Sequence, residues 1–308
     1  MSSDKEQREQ DPSAHEHMVD SEKHVQRNPH PDFKKVEGLR PDWRAEEKWA
    51  FTKTKDPNWK LGQGGNDGGE SLKKEHIEID PYEDGRPGIF NYKLLISAII
   101  PRPIGFISTV SKDGKCKSTN LAPYSFFQVI GFDPPIFIVG FAGGFDHAKD
   151  SLRNLVDTGE CCINIISEHF LEAANTCSIN APHGTSEWAM TGLHPAPCRD
   201  VKASRVKESV FSVEGKLMET KEYESRVTKG KKTCVLAIIE GIRFWAREDA
   251  INEDRNIIDP AVLRPMSRLG GITYGRLLEG VELPRPEFDK ATKDGKAEGL
   301  LKPKTEGQ

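Results

Sequence analysis

The sequence predicts a mainly β domain with inserted helices, its strands paired mostly antiparallel and closed into a barrel. Three observations carry this expectation. Strand-like runs outnumber helix-like ones and do not alternate with them, which argues against a doubly wound parallel sheet. Asp113-Gly114 stands between two strand-like runs, a strong hairpin signal. The run from Lys232 to Ala246 is long enough to bend around a barrel, with Gly241 as the place to bend.

Composition sets the domain limits. The chain has 308 residues, 36% hydrophobic and 30% charged, so part of it is expected to lie outside a packed core. Residues 1–75 lack periodicity and are rich in charge, proline and glycine, and Leu61 to Glu70 reads as a flexible linker. This predicts a disordered or extended arm over 1–75, a folded domain over 76–285 and a charged tail over 286–308. Trp43, Trp49, Phe51 and Trp59 stand out in the arm. They are either scattered aromatics or anchors that pack on the domain or on a second subunit.

Within the domain, Asn91 to Ile99 reads as a short helix stopped by Pro101 and Pro103. Strands are expected at Ile104 to Val110, Cys116 to Ala122, Pro134 to Ala142, Glu160 to Ile166, Ser209 to Thr220 and Lys232 to Ala246. Leu152, Leu155 and Val156 fall at helical spacing ahead of Gly159, a C-terminal stop. A second helix is expected from Ser167, as its cap, to Cys177.

Net charge is −4 with the signs mixed, which gives no basic face for nucleic acid or an anionic membrane. The six cysteines form no CxxC pair, so a zinc ribbon or thioredoxin-type site is not expected. Cys161 and Cys162 are adjacent in a strand and should face opposite sides. The first twenty residues carry no signal-peptide core, and no stretch approaches a membrane span, so a cytoplasmic protein is expected.

No catalytic triad, HExxH, Walker A or GxGxxG is present, and an enzyme without such a set often borrows a cofactor. Three segments suit a phosphorylated, flat-ringed one. The first runs from Ile107 to Phe127. It brings Ser108, Thr109, Thr119 and Asn120 beside a stretch broken at Pro123, where freed backbone N–H groups, Ser125, Phe126 and Phe127 would edge and wall a ring. The second is a helix start carrying Lys149, Asp150, Ser151 and Arg153, where unpaired N–H groups and basic side chains favour a phosphate. The third is Ser267 to Leu277, where Gly270-Gly271 permits close backbone approach and Arg268 and Tyr274 reach outward. Each segment alone is also ordinary turn, cap or surface chemistry.

Taken in order, PRPIGFIST, STNLAPYSFFQV, DPPIFIVGF, KDSLRNL and RLGGITY resemble the flavin reductase-like family, FMN-binding split barrels of the flavoprotein oxygenase type. The resemblance covers about Ile77 to Leu283 and takes in the Glu187-Trp188 segment. It implies a homodimer with flavin mononucleotide (FMN) near the subunit interface. The Ser118-Thr119-Asn120 and Leu121-Ala122-Pro123-Tyr124-Ser125-Phe126 stretch would lie along the flavin, and Lys149, Asp150 and Ser151 would sit at the phosphate. Ser151 stands where threonine is usual, with the hydroxyl retained. Arg268 and Tyr274 match the closing motif, and His183 lies in a loop that would border the ring.

The function expected is therefore an FMN-dependent oxidoreductase that moves hydride from NADH or NADPH to bound flavin. Two rivals stand beside it. One is an FMN oxygenase or oxidase acting on an organic substrate. The other is a non-enzymatic flavin-binding or electron-carrier protein.

Overall fold

A computed structural model of the chain describes residues 25–112, 119–288 and 290. The Asp113-Gly114 turn, Ser118 and Cys116 lie outside the described residues. The chain divides into two compact units, residues 1–45 with 81–277, and 46–80 with 278–308.

The first unit holds helices α1 (Phe33–Gly38) and α2 (Gly88–Ala98) and strands β2 (Gly105–Val110), β3 (Thr119–Tyr124), β4 (Phe127–Phe132) and β5 (Pro135–Ala142). Helix α3 (Asp150–Thr158), strand β6 (Glu160–Ile165) and helices α4 (Leu171–Thr176) and α5 (Trp188–Thr191) follow. After a small pair, β7 (Pro195–Ala196) and β8 (Arg205–Val206), come the long strands β9 (Phe211–Glu224) and β10 (Lys232–Ala246). Helix α6 (Pro260–Leu263) and the hairpin β11 (Met266–Arg268) with β12 (Tyr274–Arg276) complete the unit.

Seven strands form the main sheet in the order β3-β2-β6-β9-β10-β5-β4, every pairing antiparallel. Its edges, β3 and β4, are separated along the chain only by Ser125 and Phe126. The sheet must therefore curl until its edges approach, and the Gly140 N–H, donating to the Phe126 carbonyl at 2.7 Å, carries the β4–β5 ladder one residue into the join. This is a split barrel, mainly β and antiparallel.

The strand β3 runs through Pro123, which pairs with Phe106, where a break was expected. The reason is position. An edge strand has one side without a ladder, so a residue lacking an N–H is tolerated there. The strand β10 shifts register between Gly241 and Arg243, at the expected bend. A side chain at Gly241 would place its Cβ 2.9 Å from the Phe137 ring. Glycine is needed for that close approach.

The barrel interior is one apolar cluster that includes Ile107, Val139, Leu155, Ile163, Val213 and Ile239, all buried. Leu152 and Leu155 anchor α3 to it, each worth about 2 kcal/mol on burial. Gly159 ends the helix in the left-handed conformation, φ 72°, its N–H returning to the Leu155 carbonyl at 2.9 Å. Cys161 points into this cluster and Cys162 into a separate one with Val201 and Ala203, so the neighbours do face opposite sides. Ser167 does not cap a helix: a short 3₁₀ turn precedes α4, and the Ser167 side chain makes no capping bond. A β-bridge to Pro265 fixes its backbone, and its hydroxyl is buried with no hydrogen-bond partner among the described residues.

Trp43 lies in the first unit, with the Arg276 guanidinium 4.1 Å above its ring. The second unit pairs β1 (Ala50–Thr52) in parallel with β13 (Glu279–Val281). Trp49 meets Phe51 edge-on there at 5.7 Å, and Trp59 donates its indole N–H to the Gly64 carbonyl at 2.8 Å. Among the described residues no helix is long and apolar enough to cross a membrane, and no group of His, Cys, Asp and Glu is arranged to hold a metal.

Candidate functional site

Alternation along β2 and β3 decides which side chains meet α3. Thr109 and Asn120 are register partners, and both reach its first turns. Asn120 Nδ2 donates to Ser151 Oγ at 2.5 Å, and Asn154 Nδ2 donates to Thr109 Oγ1 at 3.1 Å. Tyr124 lies on the same face of β3 as Asn120 and hydrogen-bonds Ser151. Burial raises the Tyr124 hydroxyl well above its ordinary pKa, against the Ser151 bond and helped by the nearby Glu187 and Asp150 carboxylates. It is therefore a neutral phenol that can donate.

The segment 180–187 lies along the same helix start. His183 Nδ1 pairs with Asp150 Oδ1 at 2.5 Å, and the Gly184 N–H donates to Asp150 Oδ2 at 3.3 Å. The Thr119 and Ser186 hydroxyls are 3.0 Å apart, and the Leu121 N–H donates to Glu187 Oε2 at 3.1 Å. Glu187 is buried, which raises its carboxyl pKa against the Leu121 bond. Lys149 is exposed at the helix cap, where no side chain caps the helix, and its ammonium reaches Asn180 Oδ1 at a long 3.5 Å. Arg153 turns back to the Ala148 carbonyl at 3.5 Å.

The structure thus gathers Thr109, Thr119, Asn120, Lys149, Asp150 and Ser151 at one helix start. Ser151 is only 1% exposed and Asn120 5%, so these two position their neighbours, while Lys149 and Thr119 present the accessible polar groups. Ala122 and Pro123 are half-buried along β3, and Leu121 is buried in the core beyond it. Ser125 and Phe126 form the join between sheet edges, where the Phe126 ring is 47% exposed and edge-on to Tyr92.

Three residues from the sequence reading sit elsewhere. Ser108 faces the other side of β2 and donates to the Ser204 carbonyl. Arg268 stacks on Tyr274 at 4.2 Å and donates to the Gly271 carbonyl at 2.5 Å, and the Tyr274 hydroxyl donates to Asn175 Oδ1 at 2.8 Å. Their described contacts do not include Asn120, Lys149 or Ser151. Tyr124, placed along the flavin by the resemblance alone, stands here against the α3 start. Its even spacing from Asn120 along one strand was the signal for it.

Residues 97–263, more than half the chain, match the flavin reductase-like domain. The chain belongs to the flavin reductase-like family. The matched span holds the whole α3 cluster, and Arg268 and Tyr274 lie beyond it. Among solved structures, nitrilotriacetate monooxygenase component B from Bacillus cereus is 32% identical with a TM-score of 0.63, covering 68% of this chain and 100% of that one. The 2-nitrobenzoate 2-nitroreductase of Pseudomonas fluorescens is 26% identical with a TM-score of 0.58, covering 70% and 98%. A split-barrel-domain protein from Shewanella frigidimarina, 22% identical with a TM-score of 0.53 over 66% and 94%, bears on the fold alone.

Proposed function

We propose that the chain is a cytoplasmic, FMN-dependent oxidoreductase using NADH or NADPH. The observation that carries this reading is the uncapped start of α3, with exposed Lys149 beside it and the Asn120–Ser151–Tyr124 network behind it, in a flavin reductase-like fold. A helix start without a side-chain cap leaves amide donors for an anion, and an ammonium alongside adds charge-assisted bonding. That donor set fits a phosphomonoester. The half-exposed Phe126 beside Ser125, with Ala122 and Pro123 leading to it, fits a flat apolar ring edged by a few polar groups.

Bound FMN would supply the redox step, taking hydride from the nicotinamide ring and releasing electrons to free flavin, oxygen or another acceptor. The chain's own residues bind and orient. Lys149 and the first amides of α3 hold the phosphate. Thr119 would hydrogen-bond along the phosphoryl arm, and Asn120, locked by Ser151, would fix the start of β3 beside the phosphate. Two of the chain's solved relatives, a monooxygenase component and a nitroreductase, agree by name with oxidoreductase chemistry.

Stopped-flow mixing with NADH or NADPH tests this. The protein reconstituted with FMN should lose its visible flavin band rapidly. Bleaching only by a chemical reductant would make it a carrier, and turnover only with an added organic substrate would make it an oxygenase. A protein that stays colourless in excess FMN, with unchanged Tm, would sink the reading.

We also infer a homodimer. The strand β4 leaves Val129, Ile130 and Phe132 exposed, 54%, 57% and 92%, on a sheet edge, an apolar run that a second subunit would cover. Light scattering should give twice the chain mass, and Phe132→Asp should shift the population to monomer. A monomeric native protein would overturn the dimer.

A further inference from the structure

We propose that Cys162 and Cys198 form a reversible disulfide when hydrogen peroxide oxidises the pair, on the face of the main sheet opposite the α3 cluster.

The segment 197–204 is held against β6 and β9 without any covalent bond. Glu214 accepts from the Arg199, Asp200 and Val201 N–H groups, and Glu160 Oε1 accepts from the Lys202 N–H at 2.7 Å. Ser108 on β2 donates to the Ser204 carbonyl. These bonds place Cys198 against Cys162 in the small cluster with Val201 and Ala203. The two thiols hydrogen-bond to each other, so the sulfurs are already neighbours. Cys162 is fully buried and Cys198 half-buried, so a small oxidant reaches Cys198 first.

The surroundings divide the roles. The Cys162 thiol donates to Cys198, and the Arg205 backbone N–H and guanidinium add to that bond. Together they hold Cys198 below a thiol's ordinary pKa, against partial burial and the Glu214 carboxylate. Arg205 stacks on the Trp245 ring at 4.6 Å, and its Nε is buried with no hydrogen-bond partner among the described residues. A guanidinium with an unused donor favours a thiolate. Cys162 is pushed up by the same thiol bond and by burial, and stays protonated. Cys161 and Cys177 lie in the two large apolar clusters, where burial pushes each up to about 12 and leaves it inert.

The Cys198 thiolate attacks one peroxide oxygen and breaks the O–O bond, giving a sulfenic acid. The other oxygen leaves as hydroxide and takes up the proton that Cys198 gave up. The Cys162 sulfur then attacks the sulfenic sulfur, and its thiol proton leaves with the displaced hydroxyl as water. The two thiols lose two electrons and two protons in all, and the peroxide becomes two molecules of water. A dithiol reductant reverses the bond by exchange.

Peptide mapping of the full chain after brief exposure to hydrogen peroxide, with remaining thiols alkylated, tests this. The main product should be a linked pair of peptides lighter by two hydrogens. Fragmentation between Cys161 and Cys162 should place the bond on Cys162, and dithiothreitol should remove it. Oxidised protein should melt about 5 °C higher, because the bond closes a long loop, and Cys198→Ser should show no such shift. Cys162→Ser should stop at the Cys198 sulfenic acid, trapped by dimedone. Should that variant not fold, the map of the unmutated chain still decides. Cys198 should react about tenfold faster than Cys234, a half-buried thiol whose pKa burial raises. A Cys198 thiol left unmodified, a bond from it to Cys161 or Cys234, or a bond between two chains would overturn the pair.

Discussion

Glu214→Gln is expected to destabilise the fold by about 2–4 kcal/mol, measured by urea unfolding at neutral pH. Glu214 is fully buried, and its carboxylate accepts four hydrogen bonds. These come from the backbone N–H groups of Arg199 at 2.8 Å, Asp200 at 2.6 Å and Val201 at 3.1 Å, and from the Trp245 indole at 2.7 Å. A carboxylate accepts on both oxygens. An amide accepts on one and turns an NH₂ toward the remaining donors, so at least one buried donor is orphaned. Burial alone would raise this carboxyl's pKa, but the Arg199, Trp245 and Asp200 bonds outweigh it and hold it below the ordinary value. A depressed carboxyl contributes stability above its unfolded pKa, about 4.3, and loses it as pH falls through the lower native value. Wild type should therefore lose stability in that acid window, and Glu214→Gln should lose less. A variant within about 0.5 kcal/mol of wild type would show that these donors find other partners.

Glu214 also marks the limit of what the sequence reveals. Its strand was legible, because Phe211 to Leu217 reads as β residues, but its four partners come from a loop about fourteen residues earlier and from β10. The same limit governs the site. The helix α3 was readable from Leu152, Leu155 and Gly159, since local spacing fixes its buried face. The Asn120–Ser151 bond joins residues 31 apart and the Asp150–His183 pair spans 33, and no local period encodes either. Ser108 is a different case. It neighbours Thr109 on a strand, so the two must face opposite sides, and only Thr109 meets α3. The alternation that separates Cys161 from Cys162 separates this pair as well. Pro123 misled for a tertiary reason, because only the sheet order shows that β3 is an edge.

The largest functional effect is expected at the helix start. Lys149→Ala combined with Ser151→Ala should raise the Kd for FMN about a hundredfold and change that for riboflavin less than about threefold, read by flavin fluorescence. Each residue acts by a different route, and the single variants separate them. Lys149 is exposed beside the first amides of α3 and reaches Asn180 at 3.5 Å, so its ammonium stands where a dianion would sit, and its removal is expected to cost about 1.5–3 kcal/mol of charge-assisted bonding. That loss should shrink as salt screens the wild-type pair. Ser151 is buried and touches the ligand through Asn120. Removing its hydroxyl frees the Asn120 amide and the Tyr124 phenol together, an effect salt should not alter. Both routes end at the phosphate, which riboflavin lacks, so the ring's own contacts near Phe126 should survive. Equal weakening of FMN and riboflavin would place the phosphate elsewhere, and a salt-independent Lys149→Ala loss would remove the ammonium from its binding.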